Sequence, residues 1–147
     1  MDKDLKREII LDNYQHPCNK GLIEDSSYIK VNSKNESCID DINLMIKIED
    51  NIIKDIRFDG EACAISTSAT SIMIKLLLNK TIEEALNIIS NYEDMIDEKE
   101  YDKELLGEAL VYDEISKQPN RIKCAMLPFR GIKKVLINDW PIINIGI

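Results

Sequence analysis

Two neighbouring runs of alternating apolar and polar residues constrain the fold more than any other feature of this sequence. Residues 41–50 (DINLMIKIED) place apolar side chains at every second position, the period of a β-strand with one buried face. After a turn at residues 49–51, the run IIKDIRF places Ile56 and Phe58 on the corresponding face. The two runs are predicted to pair as an antiparallel hairpin, and residues 28–33 (YIKVNS) predict a further strand. The apolar face of the first run consists of Ile42, Leu44, Ile46 and Ile48.

Helical periodicity replaces this alternation on both sides of the strands. Residues 3–14 (KDLKREIILDNY) carry apolar side chains at the spacing of an amphipathic first helix. Pro17 and Gly21 end that run, because neither residue continues a helix well. A second apolar stripe begins at Cys63 and ends near Asn79, which predicts a helix that covers one face of the sheet.

A capping box formed by Thr81 and Glu84 marks the start of another helix, which we expect to end near Asn91. The acidic, weakly patterned segment 92–120 predicts short helices and loops. Strands that precede most of the helices predict an α+β fold, in which a small three-stranded antiparallel sheet is covered by helices. Residues 1–147 are expected to form a single domain with one core.

The charge balance argues against nucleic acid as a partner. Nineteen Lys and Arg against 27 Asp and Glu give a net charge of −8, which repels phosphate backbones. An apolar run of 18 residues is absent from the sequence, so we predict no membrane span. The N-terminal segment MDKDLKREII lacks the apolar region of a signal peptide. We therefore expect a cytoplasmic protein whose thiols stay reduced.

The sequence has four cysteines: Cys18, Cys38, Cys63 and Cys124. No two of them form a CxxC pair, so none of the local zinc-finger spacings applies. Cys38 stands in the polar loop NESCIDD between two predicted strands, and Cys63 stands where a predicted helix begins. Because proline is tolerated in a first helical turn, Pro128 predicts that the last helix starts near Cys124.

The positions of the cysteines favour thiolate chemistry. Unpaired N–H groups at a helix N-terminus stabilise a thiolate, so we expect a lowered pKa for Cys63 and Cys124. The structural alternative is that a cysteine acts as a small core hydrophobe, which suits Cys38 least because its neighbours are polar and acidic. The candidate site residues are Cys38, Asp40, Cys63 and Cys124. If they converge, three thiolates and one carboxylate form a tetrahedral set that suits zinc or ferrous iron.

Three ordered cysteine motifs resemble those of the U-type iron–sulfur assembly proteins. NESCID is similar to the family's Asn-Pro-x-Cys-Gly-Asp loop, and FDGEACAIS to its Phe-x-Gly-x-Gly-Cys-x-Ile-Ser turn. RIKCAMLPF resembles the last cysteine segment, and REIILDNYQHPCNKG resembles the N-terminal segment. The resemblance extends over about residues 4–137. Matched positions in the cysteine motifs are Asn35, Cys38, Asp40, Phe58, Gly60, Cys63, Ile65, Ser66, Arg121, Lys123, Cys124 and Leu127.

Within that family the chain looks most like the SufU branch. The acidic stretch before Cys124 resembles an insertion of that branch, and Lys123 stands where the IscU scaffolds place a histidine. The segment KQPNRIK also lacks the scaffolds' Leu-Pro-Pro-Val-Lys chaperone motif. Three residues depart from the family pattern: Ile39 and Ala62 replace glycines, and Glu36 replaces a proline. Loss of the glycines is expected to stiffen or reshape the rim of the site.

The resemblance implies a zinc-dependent sulfur acceptor that takes persulfide sulfur from a SufS-type cysteine desulfurase and serves downstream iron–sulfur assembly proteins. It implies Zn²⁺ bound by Cys38, Asp40, Cys63 and Cys124, with Cys38 as the residue that takes the sulfur. Two alternatives stay open: a scaffold that carries iron or an iron–sulfur cluster, and a structural zinc domain that binds a partner. Cys18 and His16 occupy positions where the family pattern has no ligand, and we predict that they belong to a polar loop.

Overall fold

Over residues 1–144, with side chains described as far as residue 138, the computed structural model has four α-helices and a three-stranded antiparallel sheet. The predicted α+β class is therefore confirmed. None of the helices in this range is long and apolar enough to cross a membrane. The elements are α1 Lys3–Gln15, β1 Ile29–Lys34, β2 Asp41–Glu49, β3 Ile52–Glu61, α2 Ala64–Leu77, α3 Ile82–Ile96 and α4 Pro119–Asn144. Between α3 and α4 lie 3₁₀ helices at Lys103–Leu105, Gly107–Tyr112 and Ile115–Lys117.

The predicted hairpin of β2 and β3 closes through a two-residue turn. Asp50 and Asn51 have φ values of 53° and 65°, and positive φ at both central residues defines the type I′ turn that matches strand twist. A register shift near the turn leaves Lys54 as an extra residue on β3. As a result Ile53 and Ile56, three positions apart, both lie in the fully buried core. The apolar side chains of Ile42, Leu44, Ile46, Ile53, Ile56 and Phe58 are at most 2% exposed.

Helix α3 begins as predicted and continues further than predicted. The Glu84 N–H donates to Thr81 Oγ1 at 3.1 Å, and the Thr81 N–H donates to the Glu84 carboxylate at 3.0 Å, which confirms the capping box. The helix ends at Ile96 instead of near Asn91. Its apolar stripe extends into the acidic segment at Tyr92, which is fully buried and donates a 2.8 Å hydrogen bond to a backbone carbonyl of α4.

Helix α4 corrects one prediction directly. It begins at Pro119, so Cys124 lies within the helix and not at its start. Pro119 occupies the first helical position, where a missing N–H has little effect, and Pro128 lies in the helix interior. A sequence with two prolines in one helical pattern does not reveal which of them starts the helix. The segment 92–120 otherwise contains the short helices that were expected.

The sheet brings two site segments to one end of the molecule. Asp41, at the start of β2, pairs with Lys34 on one side and with Glu61 on the other. The loop of residues 35–40 and the beginning of α2 therefore emerge beside each other. Helix α4 packs against β1, β2 and α2, and it carries the remaining candidate residue to the same end.

Candidate metal centre

The structure brings all four candidate residues together. One potential ligand atom from each side chain lies within 4.8 Å of the other three. Cys38 is exposed, Cys63 is half-buried, and Asp40 and Cys124 are buried. The group therefore opens to solvent on the side of Cys38. Its members are Cys38, Asp40, Cys63 and Cys124.

Asn35 organises the loop that carries Cys38 and Asp40. The Asn35 N–H donates to the Asp40 carbonyl at 3.0 Å, and the Cys38 N–H donates to the Asn35 carbonyl at 3.1 Å. The Asn35 side-chain oxygen accepts from the hydroxyl of Ser37 at 2.7 Å. The Asn35 amide group also lies 3.9 Å from Cys124 Sγ. This buried asparagine thus closes the loop upon itself and connects it to α4.

Asp40 is a buried carboxylate that two donors hold in place. Its Oδ1 accepts a 2.7 Å hydrogen bond from the Cys63 N–H, and its Oδ2 accepts a 2.6 Å hydrogen bond from Ser66 Oγ. Burial by itself raises the pKa of Asp40, but the hydrogen bonds from Ser66 and Cys63 outweigh it, so that the pKa lies below its usual range. The carboxylate is ionised at neutral pH, and each oxygen has a further lone pair for a cation.

Cys63 lies at the start of a helix, as predicted. It is the N-cap of α2, and its Sγ accepts a 3.4 Å hydrogen bond from the Ser66 N–H. The same sulfur lies 3.7 Å from Asp40 Oδ2. In a tetrahedral zinc site a sulfur and an oxygen ligand are about 3.5 Å apart, so this pair already has nearly the separation that zinc requires.

Cys124 has a different environment from the one that the sequence predicted. Burial, together with the neighbouring Asp40 and Cys63, raises the pKa of the Cys124 thiol well above its ordinary range. The expected lowering is wrong, because Cys124 lies inside α4 and not at its N-terminus. A bound divalent cation would counter this effect, because its positive charge stabilises a thiolate that neighbouring acidic groups disfavour.

The spacing and chemistry of the group fit a tetrahedral metal ion. Two thiolates bound to one zinc are about 3.8 Å apart, so the widest pair, within 4.8 Å, needs to close by at most about 1 Å. Three sulfur ligands and one carboxylate oxygen match the preferences of zinc and ferrous iron. The residues present could therefore hold such an ion.

The family model for the NifU-like N terminal domain matches residues 5–125. The chain belongs to this family. It is 39% identical over 131 residues to the zinc-dependent sulfurtransferase SufU of Bacillus subtilis, and the match covers 88% of each chain. It is 31% identical over 134 residues to the iron–sulfur cluster assembly scaffold protein IscU of Thermotoga maritima, and that match covers 91% of this chain and 94% of the relative.

Solved structures of NifU-like proteins have the same fold. The crystal structure of FiSufU from Fervidobacterium islandicum superposes with a TM-score of 0.83 at 33% identity, and covers 92% of this chain and 99% of that one. The N-terminal part of a NifU-like protein from Brucella abortus superposes with a TM-score of 0.80 at 14% identity, covering 90% and 93%. The second likeness concerns the fold alone. Both confirm the three-stranded sheet with helices.

The departures from the NifU-like pattern have ordinary backbone conformations. Neither Ile39 nor Ala62 has a positive φ, so the glycines of the family are not sterically required at these positions. Gly60 differs, because its φ is 132° and a Cβ atom would lie 2.1 Å from the Asp41 carbonyl oxygen. Ile39 is 67% exposed, and it therefore adds an apolar side chain to the rim beside Cys38.

Two contributions to this NifU-like site were not predicted. Ser66 was matched to the family motif without a role, and in the structure it contacts the Asp40 carboxylate. Asn35 likewise lacked a role. The signal in the sequence was the short spacing of both residues from the candidate ligands. Ser66 is the third residue after the N-cap Cys63, and the third residue after an N-cap faces the cap. Asn35 is the first residue of the tight loop that carries Cys38 and Asp40, and it faces the residues of that loop.

Cys18 and His16 do not belong to the group of four ligand atoms. Cys18 is half-buried, its N–H donates to Ser71 Oγ at 2.9 Å, and burial raises the pKa of its thiol. His16 is exposed at the end of α1. Cys18 packs against the hydrophobic core, so its surroundings are less polar than the predicted loop, and the prediction that neither residue binds metal stays a prediction.

We expect Cys18→Ser to leave the metal content of the protein unchanged, because the Cys18 thiol is not part of the candidate metal centre. Elemental analysis of the variant and of the unsubstituted protein, purified side by side without chelators, measures this directly. Loss of metal from a folded Cys18→Ser variant would contradict the assignment.

Proposed function

We propose that this chain is a zinc-dependent sulfur acceptor in iron–sulfur cluster biogenesis. It takes persulfide sulfur from a SufS-type cysteine desulfurase and passes it to downstream iron–sulfur assembly proteins. The observation that carries the proposal is the convergence of three cysteines and one aspartate with a single exposed thiol, that of Cys38. The similarity to a relative named zinc-dependent sulfurtransferase supports it.

Each residue of the candidate centre has a role in this proposal. When bound, zinc keeps the thiolates deprotonated and protects them from oxidation. Cys63 and Cys124 are the inner sulfur ligands, because one is half-buried as a helix cap and the other is buried in α4. Asp40 is the carboxylate ligand, oriented by the two donors that hold its oxygens. Cys38 completes the set from the exposed loop.

Cys38 is the proposed sulfur acceptor because its thiol is exposed and therefore accessible to a partner. Its thiolate attacks the outer sulfur of the desulfurase persulfide. A new S–S bond forms at Cys38 while the S–S bond in the desulfurase breaks, and the desulfurase cysteine leaves as a thiolate. The persulfide sulfur is transferred without a net change in oxidation state, so the step requires no further oxidant.

A scaffold for an iron–sulfur cluster is the second candidate function. It is favoured by the similarity to a relative named as a scaffold protein, and three thiolates suit iron as well as zinc. The two functions differ in what they require, because sulfur acceptance by the zinc form needs no iron.

The decisive experiment supplies the zinc-loaded chain to a SufS-type desulfurase with cysteine and a reductant. We expect sulfide release to rise several-fold, and without reductant one sulfur atom to appear on the peptide that contains Cys38, as measured by mass spectrometry. Cys18→Ser serves as the control and should behave like the unsubstituted chain. If a cluster assembles on the iron-loaded chain and the zinc form does not stimulate sulfide release, the scaffold function is favoured. If no cysteine of the chain carries the additional sulfur atom, the proposed sulfur acceptance is refuted.

A further inference from the structure

Ser66 is a fully buried hydroxyl group between two of the proposed ligands. It lies in the first turn of α2, and none of its surface is exposed. Its Oγ is 2.6 Å from Asp40 Oδ2 and 3.1 Å from the carbonyl oxygen of Cys124. One side chain therefore contacts both the β1–β2 loop and α4 at the candidate centre.

Pro128 explains why the Cys124 carbonyl accepts a bond from outside its helix. In a regular α-helix this carbonyl accepts from the N–H of the residue four positions later. That residue is Pro128, which has no N–H. The Cys124 carbonyl therefore lacks its helical donor, and the Ser66 hydroxyl is placed to supply one.

The two acceptors compete for a single hydrogen. A serine hydroxyl has one O–H to donate, and a hydrogen bond to a charged carboxylate at 2.6 Å is stronger than one to a neutral carbonyl at 3.1 Å. Ser66 therefore donates chiefly to Asp40, and the Cys124 carbonyl receives the weaker share. Ser66 Oγ also lies 3.6 Å from Cys63 Sγ, and of the two candidate ligands that it contacts, the Asp40 carboxylate is the nearer.

We propose that Ser66 is a positioning residue that orients the Asp40 carboxylate as a metal ligand. The role rests on the proposed zinc centre. The Cys63 N–H holds one carboxylate oxygen and Ser66 holds the other, so the carboxylate plane is determined at two points. Removal of one hydrogen-bonding partner outside the ligand sphere typically weakens metal binding by about 10- to 100-fold.

Ser66→Ala tests this role through metal binding, without any assay of sulfur transfer. We expect the zinc affinity, measured by competition with a chromogenic chelator, to fall by about 10- to 100-fold. In the cobalt-substituted protein the ligand-field bands should shift because the carboxylate has moved, whereas the thiolate-to-cobalt charge-transfer bands should keep their intensity.

Ser71→Ala is the matched control. Ser71 is a fully buried serine of the same helix, and its hydroxyl donates a 2.8 Å hydrogen bond to Asn13 Oδ1. Its hydroxyl bonds to the Cys18 N–H and to Asn13, neither of which is a candidate ligand. Ser71→Ala should therefore lower stability comparably to Ser66→Ala and leave the zinc affinity and the cobalt spectrum unchanged.

Pro128→Ala separates the two acceptors of Ser66, because alanine restores the N–H that the Cys124 carbonyl lacks. In the Ser66→Ala/Pro128→Ala double variant we expect part of the lost unfolding free energy to return while the zinc affinity stays low. Recovery of zinc affinity would show that Ser66 acts through the Cys124 carbonyl and would overturn the proposal.

The two proposals fail in different ways. Tight zinc binding by the unsubstituted chain, with equal affinity and an unchanged cobalt spectrum in Ser66→Ala, overturns the positioning role alone. Absence of zinc binding by the unsubstituted chain overturns the proposed metal centre and the positioning role with it.

Discussion

We expect no zinc in the Cys38→Ser/Cys63→Ser double variant, against one zinc per chain in the unsubstituted protein. The substitutions remove two of the four candidate ligands, whose ligand atoms lie within 4.8 Å of one another. The remaining pair, Asp40 and Cys124, supplies a single soft ligand, and hydroxyl groups are poor replacements for thiolates at zinc. Elemental analysis of protein purified without chelators measures the loss.

The stability of the same variant distinguishes an exchanging centre from a structural one. Structural zinc contributes on the order of 10 kcal/mol or more, which is comparable to the whole stability of an ordinary domain. We expect the metal-free variant to stay folded, because the core between sheet and helices does not depend on the metal centre. That core includes the stacked rings of Tyr92 and Phe129, whose centroids are 3.9 Å apart. Unfolding on metal loss would favour a structural zinc domain, and full zinc retention would refute the ligand assignment.

Asp40→Ala should lower sulfur acceptance by about tenfold or more while the protein stays folded. Zinc should remain bound, with weaker affinity, by three cysteines and a water molecule, since a carboxylate is the hardest and most exchangeable ligand of the set. The substitution also leaves the Cys63 N–H without its acceptor, whereas the Ser66 hydroxyl keeps the Cys124 carbonyl at 3.1 Å. An unpaired buried donor costs about 1–3 kcal/mol, which is less than the usual stability of a domain.

Desulfurase-stimulated sulfide release, with thermal unfolding measured alongside, tests the Asp40 prediction. Asp41→Ala is the matched control, because Asp41 is the adjacent aspartate and its carboxylate accepts from Asn32 instead of facing the candidate centre. Unfolding of Asp40→Ala would indicate a structural metal. Full turnover by Asp40→Ala would mean that Asp40 has no functional role, and the ligand assignment would fail.

Features with a local cause could be predicted from the sequence. The alternation in residues 41–50 predicted a strand, and the Asp50–Asn51 turn predicted its hairpin. Thr81 and Glu84, which are three residues apart, form a capping box that predicted the start of α3. In each case the interacting residues are close in the sequence, so the pattern contains the whole interaction. The convergence of the four candidate ligands, by contrast, could be predicted only from the family resemblance, because their spacing matches no local metal motif.

Contacts between distant segments were decided by the tertiary structure. The packing of α4 buried the Cys124 thiol, and burial raises its pKa, whereas a lowered pKa was predicted. The same packing brought the carbonyl that Pro128 leaves without a helical donor to within 3.1 Å of Ser66, 58 residues away in the chain. The sequence by itself determined the strands, the capping box of α3 and the types of candidate ligand. The pKa of Cys124 depends on which side chains exclude water from its thiol. The donors that orient Asp40 come from Cys63 and Ser66, more than 20 residues along the chain. Both depend on contacts between distant segments, so only the packed chain determines them.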